Sequence, residues 1–234
     1  MPFPRADAKM AMTHSSVAAV YDRRSRANKP PAVTDRRYNA SDAFTLIELL
    51  VVIMIIAILM TLAFPVFQGV QNQARRTQAR NDLLQIITAV NAYYAEYGRY
   101  PLTPPTASDT THGLTTSNDL LFNELRSVNA LQNPRRIVFL SLPDAKDPNN
   151  PRSGIGSGAT AGQYFDPWGK PYVIRLDTDY DNQVANPYAR NAGGAPLRSG
   201  VIAWSFGKDG LSQSTTASAD KETGTNKDDI ISWQ

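Results

Sequence analysis

Residues 43–66, AFTLIELLVVIMIIAILMTLAFPV, form an almost unbroken apolar run with a single carboxylate, Glu48. An α-helix rises about 1.5 Å per residue, so about 20 residues cross a hydrocarbon core of about 30 Å. A secretory signal peptide has a shorter apolar core followed by a small-residue cleavage site, and no clean A-x-A pattern follows this run. The run therefore predicts a single membrane-spanning helix.

Glu48 is unusual in this setting, because a carboxylate in hydrocarbon costs roughly 2.5–3.5 kcal/mol on insertion scales and usually marks a functional site. It also lies close enough to the start of the run to reach the lipid headgroups, where that penalty is small. Position alone leaves both interpretations open.

The residues around Glu48, Ala43-Phe44-Thr45-Leu46-Ile47-Glu48, resemble the prepilin signal of type IV pilins and type II secretion pseudopilins. In that family a prepilin peptidase cleaves before the Phe and methylates the new amino group, and the Glu serves in assembly. The resemblance implies cleavage between Ala43 and Phe44, N-methylation of Phe44, and pairing of Glu48 with the Phe44 amine of a neighbouring subunit. Ala43 stands where the family usually has Gly and keeps a small side chain.

The charge of the chain is divided at this point. Residues 1–43 contain eight Lys and Arg against four Asp, whereas residues 44–234 contain sixteen basic against seventeen acidic residues. The basic excess lies in the segment that should be removed, so we predict no nucleic-acid partner. Positive residues ahead of the apolar run indicate a cytoplasmic N-terminus and a periplasmic C-terminal part. The absence of cysteine excludes disulfides and thiolate metal sites.

The helical pattern continues beyond residue 66. Pro65 usually kinks a helix, and Gly98 followed by Pro101 is a helix stop signal. We predict one long bent helix and four segments: leader 1–43, transmembrane helix 44–66, amphipathic continuation 67–98, and periplasmic globular domain 99–234. An apolar stripe at helical spacing should pack on a sheet; its members are Leu83, Ile86, Ile87, Val90, Tyr93, Tyr94 and Tyr97.

Short elements are expected in the globular domain. The pattern predicts a helix over 119–128, capped by Asn118 and burying Leu120, Leu121 and Leu125. It also predicts a strand or an extended run over 135–142 and a surface loop over 144–162, where Pro, Asn and Gly are frequent.

A turn sequence, Asp166-Pro167-Trp168-Gly169, precedes the apolar residues 173–176. It resembles the DPWG signature of the major pseudopilins of type II secretion systems. We predict a structural role for these four residues.

Two acidic stretches are candidate metal sites. The segment 177–182, DTDYDN, has the first half of an EF-hand spacing. However, Asn182 stands at position six instead of Gly, and Tyr188 at position twelve instead of Glu. A solvated turn between strands is therefore favoured there.

The second acidic stretch follows the strand 201–206. The turn Gly207-Lys208-Asp209-Gly210 ends this strand, and Asp228-Asp229 return after a polar segment. From composition, both a calcium site and a solvated acidic loop are open. The arrangement resembles the C-terminal calcium loop of the major pseudopilins. That resemblance implies calcium held by Asp209, Asp228 and Asp229, with the Phe206 carbonyl as a further candidate donor.

These observations predict an α+β, type IV pilin-like fold and a non-enzymatic structural subunit, the major pseudopilin of a type II secretion system. The resemblance implies a helical homo-oligomeric fibre in the periplasm. It also implies an inner-membrane precursor in contact with lipid, and as partners a prepilin peptidase, a secretion platform and minor pseudopilins. A type IV pilin or a minor pilin or pseudopilin is the near alternative, and a monomeric membrane-anchored binding protein or enzyme the distant one. His112, in a Thr-rich stretch, is expected at the surface.

Overall fold

A computed structural model describes residues 44–102, 108–129, 131–188, 190–211 and 219–234 of the protein. The predicted leader, with Ala43 at its end, lies outside the described residues. The chain divides into two compact units, Met1–Val51 and Val52–Gln234.

The dominant element is helix α1, Leu46–Tyr97, with 52 residues. It is continuous through position 65, as the single-helix prediction required. It ends at Gly98, which has φ +67° and whose N–H donates to the Tyr94 carbonyl at 2.8 Å. This left-handed residue after the last turn is the usual helix stop, and glycine adopts it without a Cβ clash.

One stripe of α1 is buried, at intervals of three and four residues that place the side chains on one helical face. The buried members are Ala79, Leu83, Ile86, Ala89, Val90 and Tyr93. Tyr94 was predicted in this stripe but remains 39% exposed, because it lies one position beyond the packed face.

The stripe is covered by a four-stranded antiparallel sheet and by helix α2, Asp119–Leu125. In spatial order the strands are β1 (Thr110–His112), β4 (Val173–Leu176), β5 (Val201–Ser205) and β6 (Ile230–Ile231). A separate antiparallel pair is formed by β2 (Gly154–Ile155) and β3 (Tyr164–Phe165). The predicted architecture, a long N-terminal helix packed on a small antiparallel sheet, is confirmed.

Both faces of the sheet are buried. Successive strand residues point to opposite sides, and each side packs in a different core. Ile174 and Leu176 of β4 and Ala203 of β5 belong to the core shared with α1. Val173, Ile202 and Trp204 point the other way, into a second core that includes Val184, Tyr188, Ala192 and Ile231.

The short helix departs from its prediction in length and in its cap. It ends at Leu125 instead of residue 128, and Leu120 is half exposed while Phe122 takes the buried position. Asn118 makes no capping bond. Its buried side-chain amide instead donates to the carbonyls of Tyr164 and Tyr172, so it joins α2 to the sheet layer.

Residues 135–142, predicted as a strand or an extended run, form no strand; the N–H groups of Phe139 and Leu140 donate to the Leu125 carbonyl. Two further expectations were wrong in detail. The loop 144–162 contains strand β2. His112 is buried on β1 opposite Ile174, and burial lowers its pKa.

Candidate functional site

The first turn of α1 forms a capping box around Glu48. The Thr45 N–H and hydroxyl each donate to Glu48 Oε2 at 2.8 Å, and the Glu48 N–H donates back to the Thr45 hydroxyl oxygen at 3.3 Å. The T-x-x-E spacing is a sequence signal for this arrangement, and our reading of the sequence did not use it. Glu48 therefore has a local structural partner as well as the assembly role implied by resemblance.

The apolar part of α1 has its side chains exposed in the single chain. Large hydrophobic residues between Leu46 and Phe64 are between 45 and 81% exposed. By length and composition α1 can cross a membrane. Such a surface requires lipid or other apolar surfaces as its surroundings.

The carboxylates of Asp209, Asp228 and Asp229 come together as the sequence predicted, with one oxygen of each within 4.8 Å of the others; we call these three residues the acidic cluster. Asp228 Oδ2 accepts the N–H groups of Lys208 at 2.5 Å and of Asp209 at 3.0 Å. These two bonds fold the turn 207–210 back onto Asp228.

Asp229 is the buried member of the acidic cluster. Its Oδ2 accepts the Tyr188 hydroxyl at 2.5 Å, whereas its Oδ1 is buried and has no hydrogen-bond partner among the described residues. Burial, with smaller contributions from Asp228 and Asp209, raises the pKa of Asp229 to about 7. A buried carboxylate oxygen without a partner is costly, and a cation would satisfy it.

The donor set therefore fits a hard cation such as calcium, which takes six to eight oxygen ligands. Three carboxylates supply part of this number. Phe206 lies directly before the turn 207–210, and its carbonyl stays a predicted donor. Residues 212–218 of the intervening loop lie outside the described residues.

The turn 166–169 is organised by the buried carboxylate of Asp166. Its Oδ1 accepts the N–H groups of Trp168, Gly169 and Lys170 at 2.8–2.9 Å. Gly169 has φ +95°, which glycine supplies without strain. The turn leads through Pro171 into β4, and its geometry is that of a structural element.

The other acidic stretch lies in the connection between β4 and β5. Carboxylates of Asp109, Asp177 and Asp179 lie close together. However, both oxygens of the buried Asp177 already accept backbone N–H groups, from Asp181 and Asn182. These bonds are those expected of an acidic turn.

Comparison with known proteins finds a match for the N-terminal features. The model of the prokaryotic N-terminal methylation motif matches residues 39–64, the stretch that contains the Glu48 capping box. Over part of its length the chain is similar to pilins and to type II secretion pseudopilins. Its likeness to curated proteins extends over 60 to 91 residues, and no solved structure matches it.

Three relatives illustrate the range of this similarity. Fimbrial protein Q of Moraxella bovis is 38% identical over 38% of this chain and 57% of its own length. Type IV major pilin protein PilA of Myxococcus xanthus is 37% identical over 27% of this chain and 30% of its own. Type II secretion system core protein G of Pectobacterium carotovorum is 37% identical over 26% of this chain and 38% of its own. The chain thus spans about a third to a little over half of these relatives.

Proposed function

We propose that this protein is the major pseudopilin of a type II secretion system, a non-enzymatic structural subunit of a periplasmic fibre. The observation that carries the proposal is the methylation motif at the start of a long apolar helix whose side chains are exposed in the single chain. Two core protein G relatives, of Pectobacterium carotovorum and Klebsiella michiganensis, support secretion as the setting.

The precursor is a single-pass inner-membrane protein with a cytoplasmic N-terminus and a periplasmic C-terminal domain. A prepilin peptidase cleaves between Ala43 and Phe44 and methylates the Phe44 amine. Mature copies leave the lipid and stack through α1 into a homo-oligomeric fibre. Assembly involves the inner-membrane secretion platform and minor pseudopilins, and no nucleic acid.

Glu48 selects the position of each copy in the fibre. The amine created at Phe44 is mostly protonated at neutral pH, since α-amino groups have a pKa near 7.7–8.0. An ion pair between this amine and Glu48 of a neighbouring copy partly compensates the desolvation of both charges in an apolar bundle. Only one axial offset between the helices brings the two groups together.

Calcium bound at the acidic cluster is the second part of the proposal. The unpartnered Oδ1 of Asp229 and the grouping of three carboxylates support it. Without disulfides, a bound ion would add a cross-link between the turn 207–210, which carries Asp209, and the residues Asp228 and Asp229.

Mass spectrometry of the mature N-terminus tests the central proposal. We expect N-methylated Phe44 as the first residue in the native host. Ala43→Gly should be processed like the wild type, whereas Ala43→Glu should block cleavage because the peptidase then meets a charged side chain. A wild-type protein that keeps its leader would contradict the proposal.

A type IV pilin is the second candidate, because fimbrial protein Q and PilA are also similar to part of this chain. A monomeric anchored binding protein or enzyme is less well supported. It leaves the methylation motif without a purpose, and the relatives' names are those of fimbrial, pilin and secretion-system proteins.

A further inference from the structure

The turn 166–169 and the acidic cluster are linked by a chain of hydrogen bonds through Ser205. Asp166 uses Oδ1 for three N–H groups of its own turn and Oδ2 for the Ser205 hydroxyl, which donates to it at 2.6 Å. Both residues are fully buried. Ser205 is the last residue of β5, and only Phe206 separates it from the turn 207–210.

The same hydroxyl holds the start of that turn. Ser205 Oγ accepts the Gly207 N–H at 3.1 Å, so the serine bridges Asp166 and Gly207. Gly207 has φ +64°, and a Cβ there would lie 2.3 Å from the Asp228 carbonyl oxygen. The backbone of the turn therefore approaches Asp228 as closely as a glycine permits, and Asp228 Oδ2 then accepts the N–H groups of Lys208 and Asp209.

A second contact joins the two turns. Gly210 also has a positive φ, +63°, and a Cβ at this position would lie 2.5 Å from Cε and 3.1 Å from Cγ of Lys170. The aliphatic part of Lys170 thus packs directly over Gly210. The Lys170 N–H is itself held by Asp166 Oδ1. One buried carboxylate consequently supports the turn 207–210 at both of its ends.

We infer that Asp166 and Ser205 are positioning residues for the calcium site: their hydrogen-bonded chain sets the turn 207–210 that places Asp209 beside Asp228. The inference rests on the proposed calcium site and gives the turn 166–169 a task beyond its own stability. Residues that orient metal ligands typically change metal affinity by about 10- to 100-fold when substituted.

Calcium titration of the purified full-length chain in detergent tests the inference. Ser205→Ala removes the bridge and should weaken calcium binding by about 10-fold or more. Ser205→Thr keeps a hydroxyl and should restore most of the affinity. Ser199→Ala is the matched control, because it removes a serine hydroxyl just before the other end of β5, where it donates to the Val201 carbonyl.

Thermal unfolding separates positioning from general stability. In EDTA, Ser205→Ala should lower the Tm because a buried hydrogen bond is lost. Substitution of any buried structural residue would have this effect. The additional, diagnostic result is a smaller rise of the Tm on adding calcium than in the wild type or in Ser199→Ala. If Ser205→Ala fails to fold, the nearly isosteric Ser205→Cys, whose thiol is a weak donor and acceptor, takes its place in both measurements.

The outcomes distinguish the two proposals. If the wild type binds no calcium, the proposed calcium site is refuted. Calcium binding by the wild type with an unchanged affinity in Ser205→Ala, or in Ser205→Cys where that variant replaces it, would overturn the positioning role alone. An equal loss in Ser199→Ala would also overturn it, since the effect would then not depend on the bridge.

Discussion

At the residue scale, one substitution can separate the capping contact of Glu48 from its proposed role in assembly. Glutamine also serves at the last position of a capping box, so Glu48→Gln keeps the bonds with Thr45 and removes only the charge. We expect Glu48→Gln and Glu48→Ala both to insert into the membrane and both to fail in fibre assembly, because neither can pair with a protonated amine. Cell fractionation and shear-released fibres provide the measurements.

Thr45→Val is the complementary control, since it removes the hydroxyl of the capping box and leaves the Glu48 charge. Its assembly should be reduced less than that of Glu48→Gln. Normal fibres formed by Glu48→Gln would show that the cap is the whole function of this side chain.

The acidic cluster yields a prediction about stability. EDTA should lower the Tm of the full-length protein, and Asp228→Asn should remove most of this response because a ligand charge is lost. Asp147→Asn, at an exposed position elsewhere in the domain, is the control and should respond like the wild type. An unchanged Tm of the wild-type protein in EDTA and in calcium would refute the site.

Residue type and order predicted which carboxylates lie close together, but not which hydrogen-bond donors each carboxylate oxygen has. Asp209, Asp228 and Asp229 were identified from their order around a strand and a turn. The partner of Asp229 Oδ2 is Tyr188, which is 41 residues away in the sequence. Asn118 and His112 were misplaced for the same reason: their burial follows from the strands that pack on them, and these contacts are distant in sequence.

At the element scale, α1 was the most predictable part, since its apolar spacing, its length and the Gly98 stop all agree. The failures were two-residue strands such as β2. For the segment 135–142 the sequence leaves the state open, since an apolar segment of eight residues is equally compatible with a strand or an irregular segment. Its N–H groups at Phe139 and Leu140 share the Leu125 carbonyl, at the end of α2, as acceptor.

The contact between α1 and the sheet layer contains a buried carboxylate, and this makes stability depend on pH. Asp82 is 7% exposed and accepts the Tyr172 hydroxyl at 2.7 Å. Burial raises the pKa of Asp82 above its ordinary 3.8, although the hydrogen bonds from Tyr172 and Tyr164 oppose this change. The folded chain therefore keeps the Asp82 proton to a higher pH than the unfolded chain.

The sign of the effect follows from this difference. As the pH rises from about 3.8 through the raised pKa, the unfolded state has lost the proton and the folded state must still release it, so the free energy of unfolding falls. Asp82→Asn is neutral in both states and keeps an acceptor for Tyr172. Its stability should decline less over this range than that of the wild type, measured by urea denaturation at several pH values.

Tyr172→Phe is the matched variant for the Asp82 prediction. It removes one of the two tyrosine donors of the buried carboxylate, so stability should fall by about 1.5–3 kcal/mol and its decline with pH should become steeper. Parallel pH profiles for Asp82→Asn and the wild type would contradict the assignment.

At the scale of the whole molecule, secretion and piliation make different demands on the same fold. Deletion of the gene should leave substrates of the type II pathway in the periplasm, with surface pili and twitching unchanged. Complementation with Glu48→Gln should not restore secretion, whereas Asp147→Asn should. Loss of pili with normal secretion would instead assign the protein to the type IV pilins.

The capping box of Glu48 also affects how strongly neighbouring copies would bind one another. Glu48 Oε2 already has two donors before any neighbour arrives, so an incoming amine exchanges partners and adds few hydrogen bonds in total. The driving force for growth must then come from apolar surface on α1, and the exchange mainly selects where a copy stops. In the proposed fibre, a contact of this kind can be undone as readily as it is made.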